Sequence, residues 1–276
     1  MSSEKYWVKA LDQTHLSITN NGLFPLNTTV VTSEYYNKND FIIRELDTSR
    51  FKKQNSYGPK HNPFNPWDKI LEIDKIGTNH QLILNKYPVQ KGHILLITNT
   101  WRPQDGWLDV NDWLAIQMVN KDTSGLWFFN SSPIAGASQP HRHFQLLRRA
   151  NGEITCPREK WFLDLEINND QDSKLKKNVV VSEFNFLEDS TKIYNLYLKL
   201  SKKIGLGNPS IDKKPRFPYN ILITNNWIAI IKRKYDNVYG FSVNGLGFAG
   251  YLLLTEKSNI NYLKKNGPER LLENFV

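Results

Sequence analysis

"NSSPIAGASQPHRHFQLL", Asn130 to Leu147, sets His141, His143 and Gln145 two residues apart behind a turn of small residues. Residues two apart diverge on a helix but share a face on a strand, so only a strand gathers all three. The spacing predicts a strand with His141, His143 and Gln145 as a polar row on one face. Arg142, Phe144 and Leu146 take the other, the last two able to pack on a core. The preceding Gly136, Ala137 and Ser138 are small enough to let backbone N–H groups approach an anion. A neutral imidazole can attack phosphorus when an acceptor holds its other ring nitrogen and fixes the tautomer. The row supplies such an attacker. Displacement at a nucleotide phosphate expels a polyphosphate, so charge stabilisation matters more there than a strong general acid. As a metal site the pair lacks further ligands, since no second His-x-His and no cysteine cluster accompany it.

Outward from this segment, "HQLILNKYPVQKGHILLIT" (His80–Thr98) reads as two apolar strands joined through a loop at Tyr87–Gly92. "DVNDWLAIQMVNK" has helical spacing, with Asp109 or Asn111 as its cap. "LWFFNSS", the small-residue turn and "HRHFQLLRR" then give strand, turn, strand. The Asn/Asp/Lys-rich stretch from about Asp164 to Lys192 reads as a surface insertion or a boundary. Beyond it "TKIYNLYLKLSKKIG" has helix period, stopped by Gly205 or Gly207. "YNILITNNWIAIIKRK" makes a hairpin turning at Asn225–Asn226. The mixture predicts an α+β fold with an antiparallel sheet.

The totals agree with a folded chain. Hydrophobic residues make up 39% of the 276, and tryptophan occurs eight times, which excludes a disordered or low-complexity protein. The longest weakly polar run, Val238 to Leu254, is interrupted by Asn244 and four glycines and is shorter than the ~20 apolar residues of a spanning helix. The opening "MSSEKYWVKALDQTH" lacks the apolar core of a secretory signal, and a lone Cys156 excludes an internal disulfide. The expectation is a soluble, cytoplasmic protein. A formal charge of +9 invites a nucleic-acid reading. The basic residues, however, lie in scattered short clusters, which suit a solvated surface and the positive potential a polyphosphate substrate would welcome.

At this point the residues resemble a family. "NSSPIAGASQPHRHFQ" is similar to the active-site segment of diadenosine tetraphosphate phosphorylases, also called ATP adenylyltransferases, a branch of the histidine triad superfamily. The likeness continues in "LNKYPVQKGHILLIT", "YNILITNNWIAIIKR" and "VNGLGFAGYLLL", in the expected order over nearly the whole chain. It implies a histidine-triad-like antiparallel sheet with flanking helices. Residues 1–180 would form the catalytic region and 181–276 the ATP adenylyltransferase region, packed into one compact unit.

The resemblance also assigns roles. The second histidine of His-x-His-x-Gln, here His143, would form a covalent adenylyl-histidine, with His141, Gln145 and His93 in support. Asn85 and Lys86 would contact nucleotide and phosphate. Asn130, Gly136, Ala137, Ser138 and Gln139 would line the phosphates, with Asn220, Thr224 and Arg233 further along and Lys53, or its neighbour Lys52, as an early phosphate-binding lysine. Lys232 stands where family members commonly show proline, which loosens the register of the basic contacts. The implied reaction takes diadenosine tetraphosphate (Ap4A) and phosphate to ADP and ATP, reversibly. A divalent cation such as magnesium would arrive with the substrate, and there would be no protein metal site. Small nucleotides, rather than nucleic acid or membrane, would be the partners of a monomer. Galactose-1-phosphate uridylyltransferases share His-x-His-x-Gln and are the alternative enzyme; a nucleotide- or RNA-binding module with an inert row is the alternative of another class.

Overall fold

The structure is a computed structural model that describes residues 4–31, 40–47, 62–148, 155–168 and 173–276. The chain opens with helix α1 (Lys5–Thr19) and the short strands β1 (Thr28–Val30) and β2 (Ile42–Leu46). Strands β3 (Glu72–Ile76), β4 (His80–Leu84) and β5 (Ile94–Thr98) follow, then α2 (Val110–Asn120), β6 (Leu126–Asn130) and β7 (His143–Leu147). Next come α3 (Glu159–Asn168), β8 (Val179–Glu183), α4 (Ser190–Lys203), β9 (Tyr219–Ile223) and β10 (Trp227–Lys232). The chain closes with β11 (Asn237–Val238), β12 (Phe241–Ser242), the single turn α5 (Gly245–Phe248), β13 (Tyr251–Leu254) and α6 (Ile260–Leu272).

Eight strands form one sheet in the order β3-β4-β5-β7-β6-β9-β10-β8, with every neighbouring pair antiparallel. The central strands "HQLIL", "ILLIT", "LWFFN", "HFQLL" and "YNILI" are buried at every residue. Near-continuous apolar runs of this kind cannot leave a face in water, so both faces are covered. On one face Trp113, Ile116 and Val119 of α2 and Ile193, Tyr197 and Leu200 of α4 meet Phe129, Phe144 and Leu146. On the other, α3, α5, α6 and β13 pack over Phe128, Leu147, Leu222 and Trp227. A small second sheet, β1-β2-β13, pairs β13 parallel to β2.

The expected α+β fold with its antiparallel sheet and flanking helices is present. The hairpin β9–β10 turns at Asn225–Asn226, and Asp109 caps α2 in a reciprocal box with Asp112. The stretch from Asp164 to Lys192 is not a bare surface insertion. It holds the end of α3, strand β8 and the start of α4, and Val179, Val180 and Val181 are buried where β8 closes the sheet beside β10. The sheet draws strands from both sides of residue 180, and β8 spans that point. Among the described residues no helix is long and apolar enough to cross a membrane.

Candidate functional site

The predicted polar row exists, with one change. The strand begins at His143, and His141 stands just before it in an isolated bridge to Pro103. His143 pairs with Ile97 and Gln145 with Leu95 on β5, while Gln145 faces Phe128 on β6. Both side chains therefore point to the face that α5 and β13 cover.

His143 Nδ1 lies 2.8 Å from the backbone oxygen of His141. A carbonyl can only accept, so Nδ1 carries the proton and, in the neutral ring, Nε2 keeps its lone pair. Burial pushes the His143 pKa down to about 4, against the hydrogen bond to the His141 carbonyl, which raises it. At neutral pH the ring is uncharged, with the nucleophilic nitrogen unprotonated. His141 is itself fixed: its Nε2 donates to the Thr98 carbonyl at 2.8 Å, with Thr98 Oγ1 at 2.9 Å. Its own titration is depressed by burial, partly offset by that carbonyl bond. Its contribution to His143 runs through its backbone oxygen. Phe64 closes against both rings edge-on, at 5.7 Å and 5.4 Å between centroids.

Beside His143 lies the turn. Pro133–Ala135 forms a 3-10 turn that ends at Gly136, whose φ is +89°. A Cβ there would sit 2.5 Å from the Asn244 Cβ, so both the backbone conformation and the space require glycine. Among the described residues the backbone N–H groups of Ser138 and Gln139 have no hydrogen-bond acceptor, and the Ser138 side chain is exposed. Under the turn runs a buried amide network. Asn130 Oδ1 accepts from Asn220 Nδ2 (2.8 Å) and from the Gly245 N–H (2.9 Å), which leaves Asn130 Nδ2 buried without an acceptor. Asn220 also donates to the Ala135 carbonyl at 2.8 Å. The Arg233 guanidinium gives Nη1 and Nη2 to protein acceptors, namely Asn220 Oδ1, Val243 O, Tyr235 O and Ala135 O, and its Nε is buried without a partner. Burial lowers its pKa to about 9. Asn220 and Arg233 thus hold the turn from beneath.

On the other side, His93 is buried and Asn85 Nδ2 lies 3.4 Å from its Nδ1. Burial pushes its pKa down to about 3; Gln145 opposes that shift and His143 adds to it. Gln145 is close enough for that effect, yet its amide makes no hydrogen bond of normal geometry to His93 Nε2, which is buried and unpaired. The structure therefore brings Asn85, His93, Gln145, His143, Asn130, Asn220 and the 132–139 turn together. Lys86 turns away, its Nζ 4.0 Å from Asp68 and 5.8 Å from the centre of the Phe24 ring. Thr224 sits at the far end of β9, four residues and roughly 13 Å of strand from Asn220, with its hydroxyl accepting from the Asn226 N–H. Lys52 and Lys53 lie outside the described residues. Among the described residues no three His, Cys, Asp or Glu side chains come together as metal ligands. A cavity of about 180 Å³ opens beside Gly136, walled by Leu26, Val89, Leu147, Leu246 and Leu252.

Two features had no signal in the sequence. Gln104 is buried and bonds the backbone of His143 on both sides. Arg142, read as one member of the opposite face, is a buried strut: Nη1 donates to Asp112 at 2.9 Å, and Nη2 to the Pro103 and Trp107 carbonyls. Burial pushes the Asp112 carboxyl up, but His80 and Arg142 outweigh it and hold the acid below its ordinary range.

Fold and site define an α+β protein that presents a neutral, tautomer-fixed histidine at a sheet end, beside a turn shaped for anions. A family described as the Ap4A phosphorylase N-terminal domain matches residues 1–160, and one described as the ATP adenylyltransferase C-terminal domain matches residues 173–276. The chain belongs to the Ap4A phosphorylase family. It is 22% identical to diadenosine 5',5'''-P1,P4-tetraphosphate phosphorylase 2 of Saccharomyces cerevisiae over 94% of this chain and 88% of that protein. It is 26% identical to protein APA1 of the same yeast over 68% of this chain and 66% of that one. Its fold is that of yeast Ap4A phosphorylase Apa2 in complex with AMP, with a TM-score of 0.73 and 21% identity, covering 99% of this chain and 98% of that one.

Proposed function

We propose that the protein is an Ap4A phosphorylase, a nucleotidyltransferase that converts Ap4A and phosphate into ADP and ATP through an adenylyl group carried on His143. The observation that carries this reading is the His143 ring: Nδ1–H is held by the His141 carbonyl, burial keeps the imidazole neutral, and Nε2 is left to attack. Nε2 forms a bond to the α-phosphorus of one adenylyl end, and the P–O bond to the remaining ATP breaks. Phosphate oxygen then attacks the same phosphorus, the P–N bond breaks, and ADP leaves. No base has to remove a proton from the nucleophile, because Nε2 carries none and the Nδ1 proton stays on Nδ1, donated to the His141 carbonyl.

Asn130 Nδ2, His93 Nε2 and the Ser138 and Gln139 N–H groups are donors that the fold leaves unpaired, and we assign them to phosphoryl oxygens. Gln145 can likewise donate to a phosphoryl oxygen but cannot readily pass a proton to or from water, which favours phosphate over water as acceptor. The cavity beside Gly136 offers apolar walls to an adenosine. A divalent cation, magnesium by preference, would be carried by the polyphosphate and would neutralise charge there. We place the enzyme in a reducing cytosol as a monomer acting on free nucleotides.

The test is to mix the protein with Ap4A, quench in base and weigh the intact chain. The expected result is one adenylyl group per chain, absent in His143→Asn, with ATP and ADP produced in equal amounts only when phosphate is added. AMP formed without phosphate, or a label at another residue, overturns the proposal.

A further inference from the structure

The antiparallel ladder between β6 and β7 runs from the pair Leu126 and Leu147 to the pair Phe128 and Gln145. Continued by two residues it would join Asn130 to His143 through their backbones. It does not. The carboxamide of Gln104 occupies that place: its Oε1 accepts the His143 N–H at 2.8 Å, and its Nε2 donates to the Asn130 carbonyl at 2.7 Å and the His143 carbonyl at 3.1 Å. The partners fix the orientation of the amide, since an N–H needs the oxygen and two carbonyls need the two amide protons. Gln104 is 2% exposed, and every hydrogen that its side chain can donate is used.

The residue is held there by two further restraints. Its own N–H donates to the Pro140 carbonyl at 2.8 Å, and the Arg142 guanidinium bonds the Pro103 and Trp107 carbonyls on either side of it. Gln104 thus makes the backbone bonds of a strand without being one. It parts β6 from β7 where Asn130 and His143 stand, and it sets the backbone from which the His143 ring projects.

We propose that Gln104 is a positioning residue for His143. It holds the ring where Nδ1–H meets the His141 carbonyl and Nε2 faces the space between the parted strands. The proposal rests on the reading of His143 as nucleophile, so the test includes a measurement that does not need turnover. In the wild type, ¹⁵N spectra of the histidine rings, assigned with His143→Asn, should show His143 as a single Nδ1–H tautomer.

Gln104→Leu keeps the bulk and removes every hydrogen bond. The first-turnover rate of ATP release at saturating Ap4A should fall at least 100-fold, the size of effect that ~1 Å of misplacement produces. The Ap4A concentration for half-saturation should change less than about threefold, since no substrate contact is lost. The His143 signals should move to a tautomer mixture. Gln104→Glu guards against a folding failure of the leucine variant. An ionised carboxylate faces two carbonyl oxygens and should be as slow as leucine at pH 7.5. Once protonated it again offers one acceptor and one donor, so its rate should climb at least tenfold as the pH falls to 5, where the wild type is flat. Wild-type rate and a single tautomer in folded Gln104→Leu would overturn the proposal, as would a Gln104→Glu rate that pH leaves unchanged. If the wild type carries no adenylyl group at His143, the functional reading fails instead, and the ring spectra still decide the role of Gln104.

Discussion

Lowering the pH separates a buried nucleophilic histidine from an ordinary one. The His143 pKa is pushed down from 6.5 to about 4 by burial. At pH 5.5 a ring titrating at 4 is roughly 97% neutral, whereas one at 6.5 is about a tenth neutral. Attack on Ap4A should therefore proceed at pH 5.5 at nearly its pH 7.5 rate, and the acid limb should fall near pH 4. The assay is the burst of ATP released in the first turnover without phosphate. Two confounding ionisations are then absent: the internal phosphates of Ap4A carry no second proton to lose, unlike a terminal phosphate with its pKa near 6, and the acceptor is left out. Circular dichroism at each pH separates titration from unfolding. A burst that falls tenfold between pH 7.5 and 5.5 in folded protein would refute the buried, neutral ring as the attacker.

Stability should follow the same protons with a definite sign. Below pH 6.5 the unfolded chain protonates His93 and His143, while the folded chain does so only near 3 and 4. The unfolded state binds more protons in that window, so stability falls with pH. Between pH 7 and 5 each ring should account for about 2 kcal/mol, at ~1.4 kcal/mol per pH unit below 6.5. Urea titrations should show His143→Asn losing the His143 share of that pH dependence, about 2 kcal/mol between pH 7 and 5. Gly136→Ala forces a side chain into φ +89° and against Asn244. It should cost at least ~1–3 kcal/mol in a thermal melt and reduce the burst, because the turn itself must move. Asp112→Ala leaves Arg142 buried and uncompensated, 4% exposed at its side chain. It should cost ~3–5 kcal/mol in urea, more than removing both charges together with Arg142→Met; an equal cost would mean that the pair is not coupled.

What the sequence disclosed divides along contact range. The period-two row, the apolar runs of β4, β5, β9 and β10, the cap of α2 and the glycine stop of α4 are signals written within a few residues. They placed the strands, the turn and His143 at one sheet end. Gln104 carried no such mark. Its partners lie 26 and 39 residues away, and nothing in "WRPQDGW" distinguishes a glutamine that replaces a ladder rung from one in solvent. Arg142 looked like one position of an alternating strand, because only the fold shows Asp112 and His80 beneath it. Arg233 was expected at the phosphates from the family resemblance alone. The structure instead surrounds it with the oxygens of Ala135 in the turn, Asn220 on β9, Tyr235 and Val243. The polar stretch at 164–192 read in part as a surface insertion because its Asn, Asp and Lys residues flank three valines that are enough to close a sheet edge.

The acceptor chosen for Nδ1 connects these pieces to a two-step reaction. A carboxylate in place of the His141 carbonyl would fix the same tautomer but would stabilise the cationic ring and raise its pKa. The nitrogen would then be the better nucleophile and the worse leaving group, and the second half-reaction, in which phosphate expels the imidazole, would slow. A neutral carbonyl orients the ring while burial keeps its basicity low, so that the uncharged imidazole attacks, and the adenylylated ring, cationic because Nδ1 keeps its proton, departs again as the uncharged imidazole. That arrangement holds only while the strand end stays put, because a carbonyl has no net charge to draw the ring back. On this argument the fixing of the strand end by Gln104, Arg142 and the amide network under the turn is the counterpart of a weakly basic nucleophile: geometry supplies the orientation that a charge would otherwise enforce.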